Sequence, residues 1–388
     1  MNNLKTKVQN ADWWEIGYLI IYGAIFCFDF LNTTMFEIVW PPRFGYIFLA
    51  SSALYTIAKF IWRNTYTRKE TIFSAVILIA FIVPAIVTEY SFLFWIGFLI
   101  VGAKDVDFDK ILKVFLSLGI TITVAAFFAS QAGWIEDLIY VVPRGDYWAV
   151  RQSFGSVYPT DFTAHLLFFG IAGMCLAENK ITWGKIFNFV FLTWFVLDKC
   201  DAKTGAICMI AFSILLVFIR FFKNKLNGNG IYYLLNSANI VLAMLYLAMT
   251  HLFDVNNALW FRVNELLSKR LENSNKAINL YDYKLFGQNI EELGFGRTIE
   301  QFEGYFFIDD SFLRIALKYG VVLLVVVLAI FWCCGVKAIK SRRIIIVASI
   351  AIVALHSFME HHLIEVAYNP LLCLLFAKCR NLDGEDRT

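Results

Sequence analysis

Residues 71–88 read TIFSAVILIAFIVPAIVT, eighteen positions without a charge, and their reading decides the fold. Such a run approaches the roughly 20 residues that an α-helix, rising about 1.5 Å per residue, needs to cross the ~30 Å hydrocarbon core of a bilayer. Comparable apolar runs recur at 111–133, 231–251 and 311–334. Working outward from them, the chain divides into about twelve predicted spans, near 15–31, 44–62, 71–88, 90–103, 111–133, 161–178, 183–198, 204–222, 231–252, 311–334, 343–359 and 363–378. The expected fold class is all-α, a polytopic membrane bundle of about twelve transmembrane helices. Neither a repeat nor a low-complexity linker interrupts it, so residues 1–388 are expected to form a single integral membrane domain.

Composition agrees, with 59% hydrophobic and 17% charged residues and a mean hydropathy of +0.64; soluble domains carry nearer a quarter charged. Trp13, Trp14, Trp40, Trp62 and Trp134 sit at the ends of apolar runs, where interfacial aromatic belts form. A net charge of +3, spread over many connections, gives no basic stripe for nucleic acid. Most of the eight cysteines lie within apolar runs and none forms a C-x-x-C pair, which suggests neither a zinc site nor a disulfide framework.

With a cytoplasmic N-terminus, Arg63, Arg68, Lys104, Lys180, Arg220, Lys340 and Arg343 fall in inner connections, so both termini are expected inside and the protein in a plasma membrane. Two outer segments break the pattern. The smaller, 134–160, carries Arg144 and Arg151; the larger, 253–310, carries Arg262, Lys269, Arg270 and Arg297. Long loops are translocated regardless of charge, so these cations call for another explanation. Residues 256–271 predict one amphipathic helix, with Leu259, Val263, Leu266 and Leu267 on one face and Arg262 and Lys269 on another. The turn glycines Gly287, Gly294 and Gly296 that follow predict an ordered loop.

Several constellations could carry chemistry. Arg151-Gln152-Ser153-Phe154-Gly155 precedes the sixth span, and an arginine at the membrane surface can grip a phosphate through two parallel hydrogen bonds; snorkelling to lipid is the bland alternative. The run 198–205 holds Asp198, Lys199, Asp201 and Lys203, which could simply pair among themselves. Asp309 and Asp310 stand four to five residues before Arg314, close enough for self-pairing. Glu360, His361, His362 and Glu365 lie between the last two predicted spans, and a histidine beside carboxylates can act as a general base. The His-His pair alone falls short of a metal site. On the inner side, 105–109 has the D-x-D spacing of cation-binding nucleotide-sugar enzymes, but a solvated helix start is the more economical reading there.

In their order along the chain, the outer motifs resemble those of the Wzy-type polysaccharide polymerases and the related O-antigen ligases of bacterial membranes. The stretch 151–155 is similar to the family's Arg-x-Ser-Phe-Gly, Phe286-Gly287 with Asp309-Asp310-Ser311-Phe312 to its closure of the large loop, and Tyr368-Asn369-Pro370 to its last-helix motif. Tyr158-Pro159-Thr160 stands where the family often has His-Pro-Asn, and Lys203 where it usually has Arg. The resemblance implies a glycosyltransferase acting outside the cell on polyprenyl-diphosphate-linked glycans as donor and acceptor, without cofactor or metal. Its implied partners include a flippase and a chain-length regulator. Expected phosphate ligands are Arg144, Arg151, Lys203, Arg262, Lys269, Arg270 and Arg314; candidate catalytic residues are Asp309, Glu360, His361 and Glu365. A ligase using the same donor, or a flippase of lipid-linked oligosaccharide, are the alternatives.

Overall fold

The computed structural model describes residues 12–382 except 39, 42, 145–146, 223–228, 295 and 300–303. Helices dominate: α1 (Trp13–Leu31), α2 (Phe44–Ala58, continued by a π-turn Lys59–Arg63), α3 (Arg68–Val87), α4 (Phe92–Gly102) and α5 (Phe108–Gln131). A two-stranded antiparallel hairpin follows, β1 (Ile139–Arg144) and β2 (Tyr147–Gln152), which is the departure from an all-α fold. Then come α6 (Pro159–Ala177), α7 (Trp183–Cys200), α8 (Lys203–Phe222), α9 (Gly230–Asn236), α10 (Ala238–Leu252), α11 (Ala258–Leu266) and α12 (Arg270–Leu280). The chain closes with α13 (Ser311–Arg314, continued by a π-turn Ile315–Tyr319), α14 (Val321–Lys340), α15 (Ile344–Ser357) and a 3₁₀ turn (Pro370–Leu375).

Among the described residues seven helices are long and apolar enough to cross a membrane, and α9 with α10, bent by 42°, makes an eighth if taken as one span. Four of the twelve expected spans do not meet that length and composition. The 18-residue α7 carries Lys185, Asp198 and Lys199, while α4 and α15 have only 11 and 14 residues, roughly 17 and 21 Å against a core of about 30 Å. Residues 363–378 are not a helix but irregular chain leading into the 3₁₀ turn. Hydropathy could not separate α4, α15 and residues 363–378 from lipid-facing spans, because chain enclosed by protein is as apolar as chain enclosed by lipid. Helix α15 is buried on every side, contacting α8 and α10, whereas α2, α3, α7 and α8 present large apolar side chains such as Leu54, Ile79, Phe187 and Ile214 outward. An exposed apolar band of that extent marks a lipid-facing surface. The chain is thus a multi-span membrane protein.

One end of the bundle is closed by ion pairs. Arg343, buried at the start of α15, donates to Asp109 (2.9 Å), Glu178 (3.2 Å) and the Cys175 carbonyl (2.8 Å), tying α5 and α6 to α15. Asp107 accepts from the Asp109 amide (2.9 Å) as the cap of α5. The D-x-D run therefore serves helix ends.

At the opposite end, the expected helix over 256–271 is two. Asn257 caps α11, and Ser268 and Lys269 take left-handed φ of 54° and 64° before α12 begins. Asn264 clamps the break, donating to Glu272 (3.1 Å) and accepting from its amide (3.1 Å). Further on, Phe286-Gly287 packs against the interruption between the π-turn and α14. A Cβ on Gly287 (φ 86°) would come within 2.4 Å of the Lys318 carbonyl, and one on Gly320 (φ 103°) within 2.4 Å of the Leu285 carbonyl. Only glycine at both positions allows that approach. The loop amide of Gln288 and those of Val321 and Val322 complete the backbone hydrogen bonds that the broken helix leaves open.

Candidate functional site

Segments distant in sequence meet at this second end around a cavity of about 700 Å³. The first is the hairpin. Phe154 buries its ring against Phe127, Phe162 and Phe195, and Gly155 (φ 76°) lies so close to α5 that a Cβ would come within 2.5 Å of the Ala126 carbonyl. The Gly155 carbonyl accepts from the Met35 amide (2.8 Å). These contacts lock the end of β2 and aim Arg151 into the cavity, where Nε donates to the Cys200 carbonyl (3.1 Å) and Nη1 to the Tyr158 hydroxyl (3.3 Å). The guanidinium lies over the Tyr158 ring, 5.3 Å from its centroid. Lys203, exposed at the first position of α8, lines the same wall. Neither cation forms an ion pair among the described residues, whereas Asp198 and Lys199 nearby pair with each other at 2.9 Å.

Arg270 enters from the opposite side because the 267–269 turn rotates α12 inward. Its Nη2 donates to Glu360 Oε1 (2.9 Å), Nη1 donates to the Met359 carbonyl, and Nε lies 3.9 Å from Asp309 Oδ2. One half-buried guanidinium thus holds two carboxylates that both face the cavity. Burial pushes the Asp309 carboxyl up to about 6, with Arg270 pulling it down, and raises Glu360 against the same opposing charge. A carboxylate near 6 can accept a proton at neutral pH and release it again. His361 and Glu365 also line the cavity, with His361 Nε2 3.5 Å from Glu365 Oε1. Behind them His362 stacks on Tyr368 (3.8 Å), and its Nε2 lies 3.3 Å from Asp161 Oδ1.

Other sequence-derived candidates lie elsewhere. Arg262 is exposed and outside the cavity, and Lys269 is exposed and 3.8 Å from Glu265. The break in the predicted helix separates both from Arg270. Arg314 pairs not with Asp309 or Asp310 but with the buried carboxylate of Glu292 (2.9 Å), over the Phe307 ring, and Lys318 joins the same carboxylate. The reason is that the bridge Leu293↔Phe306 folds Glu292 back onto this helix, a contact invisible to helical spacing. Arg144 ends β1, and its side chain falls outside the described residues. The expected site residues did not include Asp161, Tyr158, Tyr305 or Phe307, which line the cavity. Asp161, an ionisable residue at the head of an apolar run, carried the usual signal of an intramembrane carboxylate; the aromatics carried none.

Asp310 caps α13, accepting from the Leu313 amide (2.7 Å) and the Ser274 hydroxyl (3.3 Å) without reaching the cavity. Burial pushes its carboxyl up to about 7, against about 3.9 in unfolded chain. The folded protein therefore retains a proton that the unfolded chain releases between about pH 4 and 7, so stability falls as pH rises through that window and levels off above it. Asp309 contributes the lower part of the same slope. Asp310→Asn is expected to flatten it, read as melting temperature of the purified protein against pH; a slope identical to that of the unsubstituted chain would refute the assignment.

None of the family models, curated proteins or solved structures compared with this chain matches it.

Proposed function

We propose that this protein is a membrane glycosyltransferase that polymerises polyprenyl-diphosphate-linked oligosaccharide units outside the cell, as the resemblance to Wzy-type polymerases implies. The observation that carries the reading is the cavity's polarity. Arg151 and Lys203, which form no ion pair among the described residues, face the same space as the half-buried Asp309 and the buried Glu360, two carboxylates held by Arg270.

Such a site suits displacement at a sugar carbon that bears a diphosphate. Asp309 takes the proton from an acceptor hydroxyl. The oxygen attacks the anomeric carbon of the donor glycan, the carbon–oxygen bond to the diphosphate breaks, and the lipid diphosphate departs with the electron pair. Arg151 and Lys203 compensate the charge that grows on the leaving group, an interaction stronger in the transition state than in the ground state. Glu360 holds Arg270 in place beside the base. Tyr158, Tyr305 and Phe307 add aromatic side chains to the cavity lining, a residue type on which sugar rings pack.

The test is incubation of the purified protein with one lipid-linked repeat unit. A ladder of products is the expected result. An unchanged substrate, when a cognate unit has been verified, would refute the polymerase reading and favour a flippase or a ligase awaiting a different acceptor.

A further inference from the structure

Four of the chain's five histidines gather beside the cavity: the His362 ring lies 4.4 Å from that of His361 and 5.4 Å from that of His356, and His165 stacks on the far face of Tyr368 at 4.3 Å. Within this group the ligand-bearing atoms of His361, His362 and Glu365 all lie within 4.8 Å of one another. The 3.5 Å between His361 Nε2 and Glu365 Oε1 is the spacing of two ligands sharing one tetrahedral ion with bonds of about 2.0–2.1 Å. The fully buried His362 has Asp161 beside its Nε2, and Asp161 in turn accepts from the Tyr368 hydroxyl at 2.8 Å. A carboxylate behind an imidazole is how metal-ligating histidines are oriented. The Nδ1 atoms of His361 and His362 are both buried and have no hydrogen-bond partner. An ordinary His361–Glu365 ion pair would explain one contact and leave His362 Nδ1 idle, the nitrogen that a metal shared with His361 Nε2 and Glu365 would use.

We propose that His361, His362 and Glu365 form a binding site for one first-row divalent cation, best matched by zinc, with its remaining coordination position open to the cavity. Two imidazoles and one carboxylate are a zinc donor set; magnesium and calcium select oxygen ligands. His361 and Glu365 line the cavity wall, so the open position faces the space that substrate oxygens would enter. The site departs from the metal independence that the family resemblance implies. It also rests on different observations from the proposed glycosyl transfer, since binding is measured without substrate, and each can fail alone.

The experiment uses the full chain, purified in detergent with an affinity tag free of histidine, stripped with chelator, loaded with Zn²⁺ and desalted. Mass spectrometry of the eluate should find one zinc per chain and no retained Mg²⁺. His362→Ala and Glu365→Ala should each reduce zinc to background, and Asp161→Asn should weaken affinity about 10- to 100-fold. His251→Ala, at an exposed helix end outside the cluster and the cavity lining, should retain the full equivalent. X-ray absorption on the unsubstituted, zinc-loaded protein needs no variant to fold, and should show imidazole nitrogen and carboxylate oxygen in the first coordination sphere. Failure to retain zinc, retention that survives His362→Ala and Glu365→Ala, or sulfur ligands from the eight cysteines would overturn the assignment.

Discussion

Arg151→Ala is expected to lower glycan transfer about 10²- to 10³-fold, the usual consequence of removing one preorganised donor from a site of developing negative charge. The expectation follows from what Arg151 lacks. Its guanidinium is buried, stacked on Tyr158 and bonded to a carbonyl and a hydroxyl, and among the described residues no carboxylate pairs with it. An arriving diphosphate therefore finds a cation that has no ion pair to break. Arg151→Lys should recover only a fraction, because an ammonium lacks the planar fork that meets two phosphate oxygens at once. Arg262→Ala should remain close to wild type, since that side chain is exposed and outside the cavity. The readouts are product per unit time at saturating lipid-linked substrate and the amount of protein extracted from the membrane. Full activity in Arg151→Ala, with normal extraction, would end the phosphate-clamp reading.

The second large effect concerns the proton. Asp309→Asn should reduce turnover about 10²- to 10⁴-fold, the range general bases contribute. In the unsubstituted protein the rate should rise with pH through about 6, the value to which burial pushes Asp309, because a base works only when deprotonated. That rising limb should vanish in Asp309→Asn. Arg270→Ala takes away the charge opposing burial, so the limb should survive and move to higher pH. Glu360→Gln removes a negative charge that helps raise Asp309 and frees Arg270 from its 2.9 Å ion pair; it should keep the limb but move it to lower pH, lower the rate less, and tighten donor binding. A limb unchanged in Asp309→Asn but lost in Glu360→Gln would exchange the two roles.

Much of this was legible from composition and order. Apolar runs free of charge require lipid or a protein interior whatever the rest of the chain does, because an unpaired charge or bare backbone there is costly. The connections between those runs had to be where ionisable residues collect, and Arg151, Lys203, Arg270, Asp309 and Glu360 all sit in them. Helical spacing failed where a distant segment overrode it. Arg262 and Lys269 share a face only if residues 256–271 stay one helix, and the Asn264–Glu272 clamp divides it. Arg314 is spaced to meet Asp310, yet the chain folded back at 293–306 presents Glu292 first.

The sequence by itself determined that this chain is a helical membrane protein with a cluster of cations and carboxylates between its spans, since transfer free energy depends on local composition alone. Tertiary structure decided which apolar runs form long helices and which are enclosed by protein, which cation lacks an ion pair among the described residues, and that residues 151, 203, 270, 309 and 360 line one cavity. Burial and pairing depend on neighbours far away in the chain. No local pattern records them.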